Sequence, residues 1–160
     1  MSEKRLRDLI ERTSKHAGLK FARHGEVPPL MLAENANGEL VTYQPFNMDK
    51  DDFSILIRAR FALDHIVRYV FVFEAWRLDD ALIDNYSGGS FADVPGRTEE
   101  VSFSCEDHIC GILTACRAII RRAKGKPRLG PLIYLTDQHG PVLRASGRFI
   151  GLLPARGTMQ

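Results

Sequence analysis

The chain has 160 residues, of which 44% are hydrophobic and 26% are charged, a composition that excludes wholesale disorder. The apolar runs at residues 70–73 and 150–153 are far too short to span a bilayer, so no membrane partner is expected. Charge is divided unevenly, because residues 108–160 hold nine Lys and Arg and one acid, whereas residues 1–107 hold 13 Lys and Arg and 19 acids. Such an asymmetry indicates an acidic or polyanionic partner.

The cysteine count bears on the compartment. Three cysteines, an odd number, give no disulfide framework and are typical of a reducing environment. The N-terminus is charged from Glu3 to Arg7 without a long apolar stretch behind it, which is not the pattern of a secretory signal. We therefore expect a cytoplasmic protein.

The first 44 residues predict a helix followed by a β-hairpin. Apolar residues recur at helical spacing over residues 3–17, and Gly18 supplies a stop. Residues 27–34 and 39–44 predict the two strands of the hairpin, because the Asn37-Gly38 pair between them favours positive φ. The two prolines at 28 and 29 then lie at an edge or at the start of a strand.

A second helix and a central strand follow. The helix is expected to begin at Asp49, whose side chain can cap the free amides, and to run to about His65. Its predicted buried stripe is Phe53, Leu56, Ile57 and Phe61. Residues 68–76 form the most strand-like run of the chain, and they are apolar on both faces at residues 70–73, which places them centrally in a sheet.

The next strand is expected at residues 99–105, with Val101, Phe103 and Cys105 on one face and Ser102 and Ser104 on the other, half-solvated one. Two closing strands are expected near residues 132–136 and 142–152, joined by a turn at 137–141.

Residues 108–124 fit two interpretations. A helix is preferred, because seven apolar residues fall on one helical stripe, Asp107 can cap its start and Gly125 its end. The alternative is a strand with Ile112, Cys116, Ala118 and Ile120 on one face. That alternative places Thr114 on the apolar face and Arg117 opposite, among apolar neighbours.

Together these elements predict a single α+β domain over residues 1–154, with a frayed tail over residues 155–160. The fold class is a mainly antiparallel sheet of five to six strands packed against two or three helices, which we expect to cover one face.

The basic segment carries the functional prediction. Six cations lie within twelve residues that contain no acid, and on a helix several of them share the face opposite the apolar stripe. The sequence predicts a non-catalytic binding module that contacts an acidic protein surface, or alternatively nucleic acid, through these side chains: Arg117, Arg121, Arg122, Lys124, Lys126 and Arg128. Acids elsewhere, Glu99 and Glu100 among them, are alternative partners for the same cations, and self-association through the opposite charges of the two segments is a further alternative.

A second contact is expected in the loop over residues 79–97, which is long enough to suggest function. Its aromatic residues, Tyr86 and Phe91, are candidate anchors for a protein partner.

Enzyme chemistry is the third alternative. Glu74 interrupts an apolar strand and precedes a run of acids, which suggests an acid/base or cation site. Cys105 with the nearby His108 suggests a nucleophile and its base. The spacing of Cys105, Cys110 and Cys116 argues against a zinc site, and no phosphate-binding, dinucleotide or metalloprotease motif is present, so no catalytic residue, cofactor or metal is predicted.

Overall fold

A computed structural model of the chain describes residues 2–45, 47–78, 82, 86, 88, 93–135 and 151–155. In that part the chain forms two helices and seven strands, in the order α1 (Ser2–His24), β1 (Leu30–Asn35), β2 (Leu40–Tyr43), α2 (Lys50–Leu63), β3 (Ile66–Arg77), β4 (Thr98–Asp107), β5 (Gly111–Ile120), β6 (Arg128–Leu129) and β7 (Ile133–Tyr134).

All strand pairs are antiparallel, in the spatial order β2-β1-β3-β4-β5-β6, with β7 also paired to β5. The predicted α+β class with a mainly antiparallel sheet is therefore confirmed. None of the described helices is long and apolar enough to cross a membrane.

The two helices lie on opposite faces of the sheet, and the expectation that one face carries all helices is wrong. Val70 and Val72 of β3 pack with α1 in one apolar cluster, whereas Tyr69 and Phe71 pack with α2 in another. Successive side chains of a strand point to opposite faces, so a central strand that is apolar on both sides needs a cover on each.

Helix α1 extends to His24, six residues beyond its predicted end at Gly18. Phe21, which is buried, continues the apolar stripe one turn after Ala17. The helix ends instead at Gly25, which has φ +73° and donates its N–H to the carbonyl of Phe21 at 2.8 Å.

The β1–β2 hairpin and the start of α2 are as predicted. Glu34 pairs with Leu40 across a turn in which Gly38 has φ +83°. The Asp49 carboxylate accepts the N–H of Asp51 at 2.8 Å and caps α2. The predicted buried stripe is correct for Phe53, Ile57 and Phe61, but Leu56 is 50% exposed, because a single i, i+4 row of this helix meets the sheet.

Residues 108–124 do not form a helix, since β5 occupies Gly111–Ile120, and its residues 111–118 pair with β4. The Asp107 carboxylate, expected as a helix cap, accepts the N–H groups of Ile109 and Cys110 at 2.7 and 3.1 Å. It caps a tight turn, which closes at Gly111 with φ +84°. A strand that is buried on both faces carries apolar residues in both registers, and such a run resembles a helical stripe.

Strand β7 lies within the predicted 132–136 segment. The predicted turn at 137–141, most of the strand at 142–152 and most of the 79–97 loop lie outside the described residues. Leu152 is 1% exposed and packs in the α2 cluster.

Candidate functional site

The six predicted contact residues do not share a helix face. Arg117 lies within β5, and the other five lie at residues 121–128, the connection from β5 to the start of β6. The structure therefore separates Arg117 from the rest and groups the remaining cations at one end of the sheet.

Arg117 is directed inward, toward the face that α1 covers. Its Nε donates to the carbonyl of Gly130 at 2.7 Å, and its Nη1 donates to the carbonyl and to Oγ of Ser14 at 3.1 and 3.4 Å. Burial lowers the pKa of its guanidinium. These acceptors explain how an arginine is tolerated among the apolar neighbours of a strand.

Helix α1 accommodates Arg117 through Gly18. A Cβ built at Gly18 would lie 3.0 Å from Nη1 of Arg117. The glycine that suggested a helix end is thus a point of close approach inside the helix.

Arg121 is neutralised within the chain. Its Nη2 donates to Oε1 of Glu99 at 2.8 Å, and its Nε donates to Oε2 of the same carboxylate. The hydrogen bond from Arg121 lowers the pKa of Glu99, although its partial burial acts in the opposite direction. One of the acids suggested as an internal partner does take up one of the six cations.

The other four cations are exposed on the connection: Arg122, Lys124, Lys126 and Arg128. No ion pair joins any of them to a residue that the structure describes. The sequence contains no acid between Asp107 and Asp137, so no neighbour along the chain neutralises them.

Helix α1 adds further basic residues to those of the connection, and the charge difference between the two halves of the sequence does not indicate them. In its first three turns, charges pair along the helix, as Lys4 does with Asp8 at 2.7 Å and Arg7 with Glu3 at 2.9 Å. Between Glu11 and Glu26 the sequence contains no acid. Six basic side chains of this stretch are exposed: Arg12, Lys15, His16, Lys20, Arg23 and His24. Of these, Arg12 also borders a depression with Asp8 and Glu34.

The two acid-free stretches meet at the C-terminal end of α1. Arg23, His24 and Gly25 of this end line one surface depression together with Lys126 and Pro127 of the connection. We call the combined area the basic surface, defined by Arg12, Lys15, His16, Lys20, Arg23, His24, Arg122, Lys124, Lys126 and Arg128. The acid-free stretch at 12–24 was visible in the sequence, but its position beside residues 121–128 requires the fold.

Two further clusters of charged side chains occur elsewhere in the sheet. Arg68, which is 6% exposed, donates from Nε to Oδ2 of Asp107 at 2.8 Å, and its Nη1 lies 2.6 Å from Oε1 of Glu34 without hydrogen-bond geometry. Ser2 donates to the other oxygen of Asp107 at 2.6 Å, which ties the start of α1 to the sheet.

The second cluster is on the α2 face. Nη1 of Arg77 lies 3.4 Å from Oε2 of Glu100 and 3.5 Å from Sγ of Cys116. Burial raises the pKa of the Glu100 carboxyl. Burial, followed by the proximity of Glu100, raises the pKa of the Cys116 thiol to about 11.

The thiols lack the electrostatics of nucleophiles. Cys105 is buried in the α1 cluster, and this burial raises its pKa, whereas a nucleophilic cysteine needs a lowered one. Burial and the adjacent Asp107 raise the pKa of Cys110 to about 11. Cys116 pairs with Ser102 on the opposite face of the sheet from Cys105, and no three potential metal ligands converge within the described ranges.

The Glu74 carboxylate holds a backbone segment in place and, among the described residues, is not part of a cluster of polar groups in a cavity. Its Oε1 accepts the N–H of Val27 at 2.8 Å and fixes the chain just before β1. Together with Lys50 it also borders an apolar pocket of about 240 Å³ between α2 and the sheet, lined by Pro29, Pro45, Met48, Phe53, Phe71 and Phe73. This volume is below the roughly 300–1,000 Å³ of typical ligand sites. The acids at 79, 80 and 84 lie outside the described residues.

The predicted second contact is described only in part. Tyr86 is half-buried, whereas Phe91 lies outside the described residues, so its role as an anchor stays a prediction.

No family model, curated protein or solved structure matches the chain.

Proposed function

We propose that this protein is a non-catalytic binding module whose basic surface holds an acidic macromolecular partner. The observation that carries the proposal is the meeting of two acid-free, exposed stretches, residues 12–24 and 121–128, at one end of the sheet. Cations gathered in this way repel one another, and an anionic partner relieves that repulsion. Arg117 and Arg121 are not part of the proposed contact, because Ser14, Gly130 and Glu99 already occupy their side chains.

The enzyme alternative has less support. The three cysteines are free thiols with raised pKa values, and the Glu74 carboxylate accepts a backbone N–H. Neither arrangement provides an activated nucleophile or base. The free thiols also support our proposal that the protein works in the cytoplasm.

Three paired substitutions with the same change in net charge test the proposal. Lys15→Glu/Lys20→Glu alters the helix part of the basic surface, and Lys124→Glu/Lys126→Glu alters the connection. Lys4→Glu/Lys50→Glu is the control, because both lysines are exposed outside the basic surface and the Lys4–Asp8 pair, being on the surface, contributes little stability.

The measurement is the salt concentration that elutes each variant from immobilised heparin, a generic polyanion. We expect the two surface variants to elute at clearly lower salt than the control, because they remove local cations as well as net charge. Equal elution of all three variants would show that only net charge matters, and would refute the proposed surface.

A further inference from the structure

We infer that the basic surface binds the phosphate backbone of double-stranded nucleic acid, contacted without sequence preference by α1 and residues 121–128 together. This inference rests on the proposed function and names its partner. Three properties of the surface favour a phosphate backbone over an acidic protein.

The first property is composition. Protein interfaces bury a core rich in aromatic and apolar side chains, and they are depleted in lysine. Four of the ten residues that define the basic surface are lysines, and none is Phe, Tyr or Trp. Leu19, 74% exposed, is the one large exposed apolar residue within the described stretches 12–24 and 121–128. A phosphate backbone requires cations and no apolar core.

The second property is extent. Arg12 and Arg23 are eleven residues apart on α1, which corresponds to about 16 Å along the helix axis. A duplex strand carries one phosphate per roughly 3.4 Å of axis, so this length matches about five base pairs. Residues 121–128 extend the basic surface beyond the end of the helix, where Lys126 shares a depression with Arg23.

The third property separates a duplex from a single strand. Proteins that bind single strands stack the bases on aromatic side chains. Residues 12–24 and 121–128 include one Phe, Tyr or Trp side chain, Phe21, and it is buried. These stretches also contain no Asn or Gln, the residues that recognise adenine edges in the major groove. Arg and Lys can also contact guanine, but most hydrogen bonds to a duplex go to phosphates and sugars, so we expect little sequence preference.

Fluorescence anisotropy with labelled 20-base-pair duplexes tests the inference directly. The arms are two DNA duplexes of unrelated sequence, one RNA duplex, one DNA single strand and polyglutamate of similar charge, each titrated at 50, 100 and 200 mM salt. If about four or five phosphates are neutralised, duplex affinity should fall by about 10²- to 10³-fold between 50 and 200 mM salt.

The variants locate the contact. Lys15→Glu/Lys20→Glu and Lys124→Glu/Lys126→Glu should each weaken duplex binding at 50 mM salt by at least about tenfold and lower the salt slope by about two, one for each lost phosphate contact. Lys4→Glu/Lys50→Glu should weaken binding by less than about threefold and keep the slope. The DNA and RNA arms show which duplex is preferred.

Binding of polyglutamate but not of duplexes, with the same sensitivity to the surface variants, would overturn this inference and leave the proposed function standing. Binding of neither polyanion by the intact protein would overturn both. Tighter binding of the single strand, or more than a tenfold difference between the two DNA sequences, would also contradict the inference.

Discussion

At the scale of single residues, Arg117 joins elements that are distant in the sequence. Through its hydrogen bonds it connects β5 with Ser14 of α1 and with Gly130, just after β6. Hydrogen bonds that involve a charged group contribute about 1.5–3 kcal/mol to stability. We expect Arg117→Ala to lower the free energy of unfolding by at least about 2 kcal/mol, whereas Arg122→Ala should change it by less than about 0.5 kcal/mol, because Arg122 is exposed. Urea denaturation of both variants measures this difference.

Gly18 and Arg117 should be energetically coupled. Replacing a helical glycine with alanine ordinarily stabilises a protein by about 0.5–1 kcal/mol. In this chain the new Cβ would lie 3.0 Å from a guanidinium nitrogen that is held by hydrogen bonds, so Gly18→Ala alone should gain little or lose stability. In the Arg117→Ala background the ordinary gain should appear. A double-mutant cycle measures the coupling, and additive effects would show that the contact carries no energy.

Asp107 should make stability dependent on acid pH. Burial alone would raise the pKa of this carboxyl, but hydrogen bonds from Ser2, the Ile109 amide, Arg68 and the Cys110 amide outweigh burial and lower it. A folded-state pKa below the ordinary value of about 3.9 contributes stability that is fully present above that value and is lost as pH falls through the folded-state pKa.

We therefore expect Asp107→Asn to reduce the free energy of unfolding by about 1.5–3 kcal/mol at pH 7, because Arg68 loses one of its two carboxylate partners and keeps Glu34. The difference between the wild type and the variant should shrink below about pH 4. Urea titrations at pH 7 and at pH 3 test this expectation. A difference that is constant with pH would contradict the assigned role of the carboxylate.

At the scale of elements, the strand identity of β5 has a direct test. In the strand, Ala115 is fully buried and Ala118 is exposed. In the helix considered for this segment, neither alanine belongs to the buried apolar stripe. Ala115→Asp should abolish folding or reduce stability by more than about 3 kcal/mol, since it buries an unpaired charge. Ala118→Asp should be tolerated. Thermal melts followed by circular dichroism distinguish the outcomes, and equal tolerance of both changes would favour the helix.

Elements with strong local signals were predictable from sequence. The Asn37-Gly38 turn, the Asp49 cap and the two-sided apolar run of β3 each depend on neighbours in the chain, and all three are confirmed. Local sequence patterns gave a wrong secondary structure where a contact between distant residues determines the fold. Gly18 is a packing position for Arg117 rather than a helix end, and Asp107 caps a turn and binds Arg68 rather than beginning a helix.

The candidate site was predictable only in part for the same reason. The cations of residues 121–128 were identified because no acid lies among them in the sequence, and all five are exposed. Two features depend on residues that are distant in sequence. Arg121 is hydrogen-bonded to Glu99, and the cations of α1 lie beside Lys126. A one-dimensional charge pattern contains no information on such pairs.

At the scale of the whole molecule, the separation of charge continues into the fold. The first turns of α1 carry paired charges, whereas its last turns and the β5–β6 connection form the basic surface. Self-association through opposite charges competes with binding to a foreign partner, and it would be favoured at low salt. A mass measured by light scattering that does not change between 50 and 300 mM salt would support a foreign partner, and dimers that dissociate as salt rises would support self-association.

The central claim is that α1 and residues 121–128 act as one surface. The most direct test is calorimetric titration of a ten-base-pair DNA duplex at 50 mM salt into three proteins: the unaltered chain, Lys15→Glu/Lys20→Glu and Lys124→Glu/Lys126→Glu. If the two segments form one surface, all three proteins should show a single binding event with the same stoichiometry, and its affinity should be lower in both variants. Two classes of site in the unaltered protein, one of which each variant removes while the other keeps its full affinity, would contradict the claim.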